Sequence, residues 1–340
     1  RKHSTMEEYY KAADARTAEF GIPALPISEA QCVELCELLK TSTDKKFLDL
    51  FLNRVPAGVD PAAGVKAGFL EKVVNAELKV PLITPEYAVE ILGTMIGGYN
   101  TPPLVATLRH ATLAPLARKA LSQIIIVSAS DIENVIGMHK AGVAAATELI
   151  QSWADAEWFQ SKPKLEKTLK LKVYKVPGET NTDELSPAKA AVSRPDIPLH
   201  CLSCLLSYPD AVKTVQGYRD DGFEVAFVGD VVGTGSSRKS ATNSLIWMIG
   251  EDIPFVPNKR RGGVVIGELI APIFFNTVED SGGLPIRCEV DKLETGQVIV
   301  IHTEEGKITT EAGDVLSTFA LEPATLLDEL RAGGRCVRYG

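Results

Sequence analysis

The residues best suited to chemistry lie in one run, Val228-Gly229-Asp230-Val231-Val232-Gly233-Thr234-Gly235-Ser236-Ser237-Arg238-Lys239-Ser240. The apolar stretch Val225-Ala226-Phe227-Val228 ahead of the glycines reads as a buried strand, and 240–247 reads as a helix. Strand, glycine turn and helix would bring small hydroxyls and backbone N–H groups to a helix N-terminus, where anions bind. Arg238 adds a planar, permanently charged fork that matches a carboxylate or a phosphate. Two familiar motifs nearly fit and fail. A P-loop needs glycine directly before Lys-Ser, but Arg238 precedes Lys239-Ser240. A dinucleotide fingerprint needs a third glycine three residues after Gly235, and that position is also Arg238. A plain structural reading fits the same run: glycines that make a turn and serines that cap a helix.

Other reactive residue types are less promising. Cys201 and Cys204 form a C-x-x-C pair beside His200, a spacing used in zinc and iron–sulfur sites. No second pair stands at zinc-ribbon spacing, and the first lies in an apolar run that reads as helix, so both thiols are expected to pack as small hydrophobes. Cys32 and Cys36, four apart on one helical face, read the same way. The histidines (His3, His110, His139, His200 and His302) are scattered, and each reads as a surface or packing residue rather than a metal ligand. Arg194 sits in a polar kink, Ser193-Arg194-Pro195-Asp196, and by composition reads as a solvated loop arginine.

The elements around these residues divide into two kinds. The first part of the chain reads as helical throughout. A helix is expected over 7–18. A capping box at Ser28 and Gln31 opens a second, carrying Val33, Cys36, Leu38 and Leu39. Asp44 caps a third, with Phe47, Leu48, Phe51 and Leu52 on one face. Asp60-Pro61 and Thr84-Pro85 are cap-plus-proline starts, and Gly97-Gly98 is a stop. Further helices are expected over 104–108, 116–127, 132–139 and 144–158. Short helices with short connections suggest a stacked α-solenoid. The polar, proline-containing 160–164 marks a domain boundary. Beyond it, Leu169-Lys170-Leu171-Lys172-Val173 alternates as a half-buried strand does. More strands are expected at 224–228, 263–266, 285–290, 297–301, 307–310 and 315–321. Helices are expected at 199–206, 211–220, 241–249, 274–280 and 325–332. Such a mixed order suits a layered domain.

Composition sets the outer bounds. The chain has 340 residues, about two domains' worth, with 45% hydrophobic and 24% charged residues, as in ordinary globular proteins. A net charge of -8 argues against a general nucleic-acid surface, while leaving a local RNA site open. No apolar run is long enough to span a bilayer, and no secretory signal pattern is present. The six cysteines read as reduced thiols of a cytosolic compartment, so the expected location is cytoplasmic. Arg1 to Thr5 read as a tag, an extension or the remnant of a presequence.

The run from Gly229 to Ser244 resembles the swivel-domain motif of the aconitase B family, bacterial aconitate hydratases and 2-methylisocitrate dehydratases. Gly178-Glu179-Thr180-Asn181-Thr182-Asp183-Glu184-Leu185-Ser186-Pro187, Ser193-Arg194-Pro195-Asp196-Ile197-Pro198-Leu199-His200 and Ala271-Pro272-Ile273-Phe274-Phe275-Asn276-Thr277 carry the same resemblance. So does Ser152-Trp153-Ala154-Asp155-Ala156-Glu157-Trp158-Phe159. The likeness begins at Met6, runs in one order over almost the whole chain and covers only part of the family's length.

The resemblance implies a multidomain fold: an all-α HEAT-like solenoid over 1–160, a mixed β/β/α swivel domain over 168–330, and the start of a linker over 331–340. It implies the N-terminal portion of an aconitate hydratase that interconverts citrate and isocitrate through cis-aconitate, and that dehydrates 2-methylisocitrate. Ser236 corresponds to the family's base. Arg194, Ser236, Ser237 and Arg238 correspond to its substrate-binding residues. The family's [4Fe–4S] cluster would be ligated by residues beyond this chain, so no metal ligand is expected here, and the fragment alone is expected to be inactive. Implied partners are the tricarboxylates, a second copy through the HEAT-like domain, and mRNA, with no membrane. An alternative reading is a non-catalytic regulatory module that uses the helical domain for protein association or RNA binding. A third is a stand-alone part like the small subunits of isopropylmalate isomerases.

Overall fold

The computed structural model describes residues 5–124, 127–162, 166–321 and Arg331. The chain divides into two compact units: residues up to Lys162 together with Pro254–Pro257, and the remainder.

The first unit is a succession of helices: α1 (Thr5–Phe20), α2 (Glu29–Leu39), α3 (Lys45–Asn53), α4 (Pro61–Val74), α5 (Pro85–Thr94), α6 (Thr101–Thr107), α7 (Ala114–Ser122), α8 (Ala129–Lys140), α9 (Ala144–Ala154) and α10 (Glu157–Gln160). Their starts are written in the sequence. Ser28 and Gln31 close a reciprocal capping box on α2. Asp44, Asp60 and Thr84 each accept a backbone N–H at the start of α3, α4 and α5. Each such cap stabilises its helix by about 0.5–2 kcal/mol. Helices α2, α4, α5, α7 and α9 pack in series. One continuous core runs through them, from Met6 and Leu35 by Leu70 and Leu92 to Leu121 and Leu149.

Three details differ from the sequence reading. Val33 faces solvent, while Cys32, Leu35, Cys36 and Leu39 form the buried stripe of α2. The helix expected over 144–158 breaks at Ala156, whose φ of 52° is left-handed, and α10 starts afresh beyond it. α7 ends at Ser122 rather than running to Val127, and residues 125–126 lie outside the described residues.

The second unit is built on a seven-stranded mixed sheet. Its elements are β1 (Thr168–Thr180), α11 (Thr182–Leu185), a 3₁₀ turn (Ala188–Ser193), α12 (Ile197–Cys201), α13 (Ala211–Asp220), β2 (Glu224–Val232), α14 (Arg238–Ile249), the short pair β3 (Glu251–Asp252) and β4 (Arg260–Arg261), β5 (Val264–Ile270), α15 (Pro272–Asp280), β6 (Leu284–Arg287), β7 (Val298–His302), β8 (Lys307–Thr310) and β9 (Val315–Thr318). The strand order is β6-β5-β2-β1-β7-β8-β9. β1, β2, β5 and β6 run parallel to one another, and β7 to β9 join β1 as an antiparallel meander.

Alternation along the strands makes two cores. Val225, Phe227 and Val265 face Leu245, Val215 and Phe274 of the helices. Leu171, Val173, Val228 and Ile266 face the other way, with Ile286 from one end of the sheet and Ile308 from near the other. Side chains from strands that far apart share a core because the sheet curls on itself. The molecule is therefore multidomain, a helical N-terminal part followed by a curled mixed-sheet domain.

The strand before the glycines is longer than its apolar run suggests. β2 continues through Asp230 to Val232, because both neighbouring strands keep pairing with it that far. The turn is therefore Gly233 to Gly235. α14 begins at Arg238 rather than at Ser240, since the Ala241 N–H already bonds the Ser237 carbonyl. The apolar run expected as one helix over 199–206 is α12 followed by tight turns, with Leu205 at a φ of 57°. The helix expected over 325–332 lies outside the described residues, Arg331 apart.

Candidate active site

The β2–α14 turn is built from what only glycine permits. Gly233 has a φ of 86°, and a Cβ there would lie 2.2 Å from the Phe274 ring. Gly235 has a φ of 117°, and a Cβ there would lie 2.3 Å from the Thr182 hydroxyl. Side chains would be strained in the first respect and excluded in the second. The turn is pinned to the end of β1: the Gly233 N–H donates to the Thr180 carbonyl (2.8 Å), and the Thr182 N–H donates to the Thr234 carbonyl (2.7 Å).

Between the turn and α11 lies a cleft of about 390 Å³, lined by Glu179, Asn181, Thr182, Asp183, Ala188 and residues 234–237. Ligand clefts commonly measure about 300–1,000 Å³. Its two carboxylates are engaged locally: Glu179 accepts from the Thr234 hydroxyl (2.6 Å), and Asp183 accepts from the Ala188 N–H (2.9 Å). Ser236 is exposed at the lip, and among the described residues its hydroxyl makes no hydrogen bond. Ser237 is the N-cap of α14, yet its side chain does not cap the helix. Among the described residues the first N–H groups of α14 thus have no side-chain partner, the state in which a helix N-terminus receives an anion.

The Ser237 hydroxyl is used otherwise. It accepts from Nη2 of Arg194 (3.3 Å), which also donates through Nε to the Ser186 hydroxyl (3.1 Å). Arg194 is half-buried and tied down, not a solvated loop arginine. The structure thus brings Arg194 to the Ser236-Ser237-Arg238 triplet across 43 positions of sequence. The half-buried Arg238 stands on the first turn of α14. Neither arginine is part of the cleft's immediate lining; Arg194 reaches it through Ser237.

His200, expected as a surface or packing residue, is a buried hydrogen-bonding hub. Its Nε2 lies 2.8 Å from the Ser186 hydroxyl and its Nδ1 lies 2.8 Å from the Ser193 hydroxyl. Burial, and secondarily the charge of Arg194, hold its pKa below the ordinary 6.5. The unfolded chain therefore takes up a proton first as the pH falls below about 6.5. Stability is undiminished above that value and declines beneath it, until the folded imidazole titrates too. Thermal melts between pH 7.5 and 5 should show a fall in Tm that His200→Gln lessens; equal pH slopes in both proteins would contradict this.

The described cysteines do not fit an iron–sulfur cluster. The Cys201 thiol is buried, donates to the Ser244 carbonyl (3.4 Å) and has its pKa pushed up to about 12 by burial. Cys204 is buried and raised likewise. Cluster ligands are thiolates, which such surroundings oppose. Cys32 donates to the Ala62 carbonyl within the helical core, Cys288 is buried in the sheet domain, and Cys336 lies outside the described residues. Among the described residues no group of three or more His, Cys, Asp or Glu side chains could hold a metal. No described helix is long and apolar enough to cross a membrane.

Two family models match: "Aconitate hydratase 2 N-terminus" over residues 171–337 and "Aconitate B N-terminal domain" over residues 8–159. The chain belongs to the aconitase B family, as its N-terminal part. It is 50% identical to aconitate hydratase B of Synechocystis over 337 residues, which are 97% of this chain and 38% of that protein. It is 50% identical to aconitate hydratase B of Escherichia coli over 345 residues, covering 97% of this chain and 40% of the relative. The chain thus spans about two fifths of the length of these aconitase B relatives. A 3-isopropylmalate dehydratase small subunit from Halothermothrix orenii is 26% identical over 170 residues, covering 49% of this chain and 92% of that one.

Proposed function

We infer that this chain supplies the base and carboxylate-binding groups of an aconitate hydratase, interconverting citrate and isocitrate through cis-aconitate and also dehydrating 2-methylisocitrate. The observation that carries the reading is the meeting of Arg194 with Ser237 beside Ser236 and Arg238, at a helix start with no side-chain cap, in a chain of the aconitase B family. The finer assignments rest on family likeness. Residues 1–160 are a HEAT-like domain that takes part in homodimer formation and 168–330 a swivel domain; the linker expected over 331–340 lies outside the described residues, Arg331 apart. The location is cytoplasmic.

In this reading Arg194 and Arg238 hold separate carboxylates of a tricarboxylate, each with a planar fork that keeps its charge at any working pH. The helix N–H groups add fixed dipoles directed at the same anion. Ser236 then acts at the carbon next to a carboxylate. Its alkoxide takes the proton: the C–H bond breaks, an O–H bond forms on Oγ, and the electron pair becomes the new double bond as the neighbouring C–O bond breaks. A serine hydroxyl is a very weak acid, so the alkoxide depends on the local positive field of Arg238 and the helix start. The hydroxyl leaves with the bonding pair as hydroxide; an iron–sulfur cluster would take it as a Lewis acid, held by residues other than the described ones, which form no cluster site.

Tricarballylate, a tricarboxylate that cannot be dehydrated, tests the binding half in this chain. Titrated into ¹⁵N-labelled protein, it should shift the amides of residues 234–240 and the Arg194 Nε–H at millimolar concentration, and Arg194→Lys should weaken the effect. Unmoved amides at Ser236, Ser237 and Arg238 would overturn the assignment.

A further inference from the structure

We propose that His200 is a positioning residue for Arg194, acting through a serine relay in which every proton has one place. The proposal rests on Arg194 being a carboxylate-binding arginine. The relay runs from the guanidinium through the Ser186 hydroxyl to the imidazole, and on through the Ser193 hydroxyl to a backbone carbonyl. Its contacts are 3.1 Å, 2.8 Å, 2.8 Å and 2.8 Å.

The proton positions follow from counting donors. A serine hydroxyl has one hydrogen and two lone pairs. Ser193 gives its hydrogen to the Ala190 carbonyl, so toward His200 it can only accept. Nδ1 must therefore carry the imidazole hydrogen. In a neutral ring that leaves Nε2 bare, an acceptor. Ser186 then gives its only hydrogen to Nε2 and turns lone pairs toward Arg194. Arginine has no acceptor, so Nε–H to Ser186 Oγ is the sole consistent direction. The same guanidinium reaches the Ser186 carbonyl and Ser237 Oγ through Nη2. Among the described residues Nη1 makes no hydrogen bond, which leaves that side of the fork for a ligand.

Removing the imidazole acceptor frees the Ser186 hydrogen to turn toward Arg194, where donor would meet donor. Ser186 and His200 are each within 1% of complete burial, so water does not take the place of the ring. The relay explains why a histidine stands in an otherwise apolar helix, Ile197-Pro198-Leu199-His200-Cys201. It also explains why two serines seven and fourteen positions away converge on it.

Two measurements test the proposal. Long-range ¹H–¹⁵N spectra of the histidine-labelled chain above pH 7.5 should show His200 protonated at Nδ1 and bare at Nε2. Protonation at Nε2 overturns the relay whatever the kinetics. In the full-length enzyme, His200→Leu should raise KM about tenfold with a much smaller change in kcat, the pattern of lost ground-state binding. His200→Gln, which keeps an acceptor for Ser186, should restore most of it. Should His200→Leu not fold, the tautomer and His200→Gln decide. A KM unchanged in His200→Leu, where Arg194→Lys raises it, removes the proposal alone. A KM unchanged in both removes the tricarboxylate reading of Arg194, and the proposal with it.

Discussion

On the proposed assignment, Ser236→Ala in the full-length enzyme should lower kcat by about 10²–10⁴-fold, the usual worth of a positioned general base, and leave KM nearly unchanged. The split follows from when the interaction is made. In the proposed mechanism the base meets its proton only in the transition state, whereas the arginines hold the carboxylates throughout. Arg238→Lys keeps the charge, loses the planar fork and raises KM instead. Stability offers an internal control. Ser236 is exposed, its hydroxyl makes no hydrogen bond among the described residues, and the helix N-cap is Ser237. Its replacement should therefore shift stability by no more than about 0.5 kcal/mol. Steady-state kinetics with melts of the same preparations decide the matter. Near-normal turnover in a folded Ser236→Ala protein would leave the site without its base.

The second large effect is on the fold beneath the site. Gly233→Ala forces a Cβ to within 2.2 Å of Phe274, a fully buried ring, at a φ of 86°. Left-handed backbone costs about 1–2 kcal/mol for a residue with a Cβ, and overpacking a dense core costs roughly 1–3 kcal/mol. Together they should destabilise the sheet domain by about 2–5 kcal/mol, read as a lower denaturant midpoint. Gly222→Ala separates the two terms. Gly222 has a φ of 87°, but a Cβ there meets nothing within 4 Å, so only the backbone strain applies. Equal losses in the two variants would show that contact with Phe274 contributes nothing.

Much of this site could be read from residue order because it is local. A strand, two glycines at positive φ, and a helix starting at Arg238 occupy consecutive positions, and their chemistry can be read in line. Arg194 was less legible, since its partners lie 8 and 43 positions away and no spacing rule connects them. His200 was not legible at all. A lone histidine in an apolar run has no local feature to mark the serines on either side of its ring, and only the packing of α11, the 3₁₀ turn and α12 supplies them. A similar limit applies in the helical unit. Caps with hydroxyl or carboxylate side chains announced α2 to α5, whereas the break at Ala156 has no proline or glycine to signal it.

β1 is the first strand of its sheet to be made, yet it ends in the middle, between β2 and β7. A ribosome that releases the chain N-terminus first leaves residues 168–172 without their β7 partners until 298–302 have emerged. For that interval the nascent polypeptide carries an open hydrogen-bonding edge, the kind on which chains stick together. Lys170 and Lys172 stand on it, and charge at an edge deters stray pairing. Both lysines find a use once translation has passed: Lys170 meets Glu311 at 2.9 Å, and Lys172 lies over the Tyr218 ring at 4.4 Å. The strand that carries the cleft at its far end thus bears charged side chains along the edge that waits for β7.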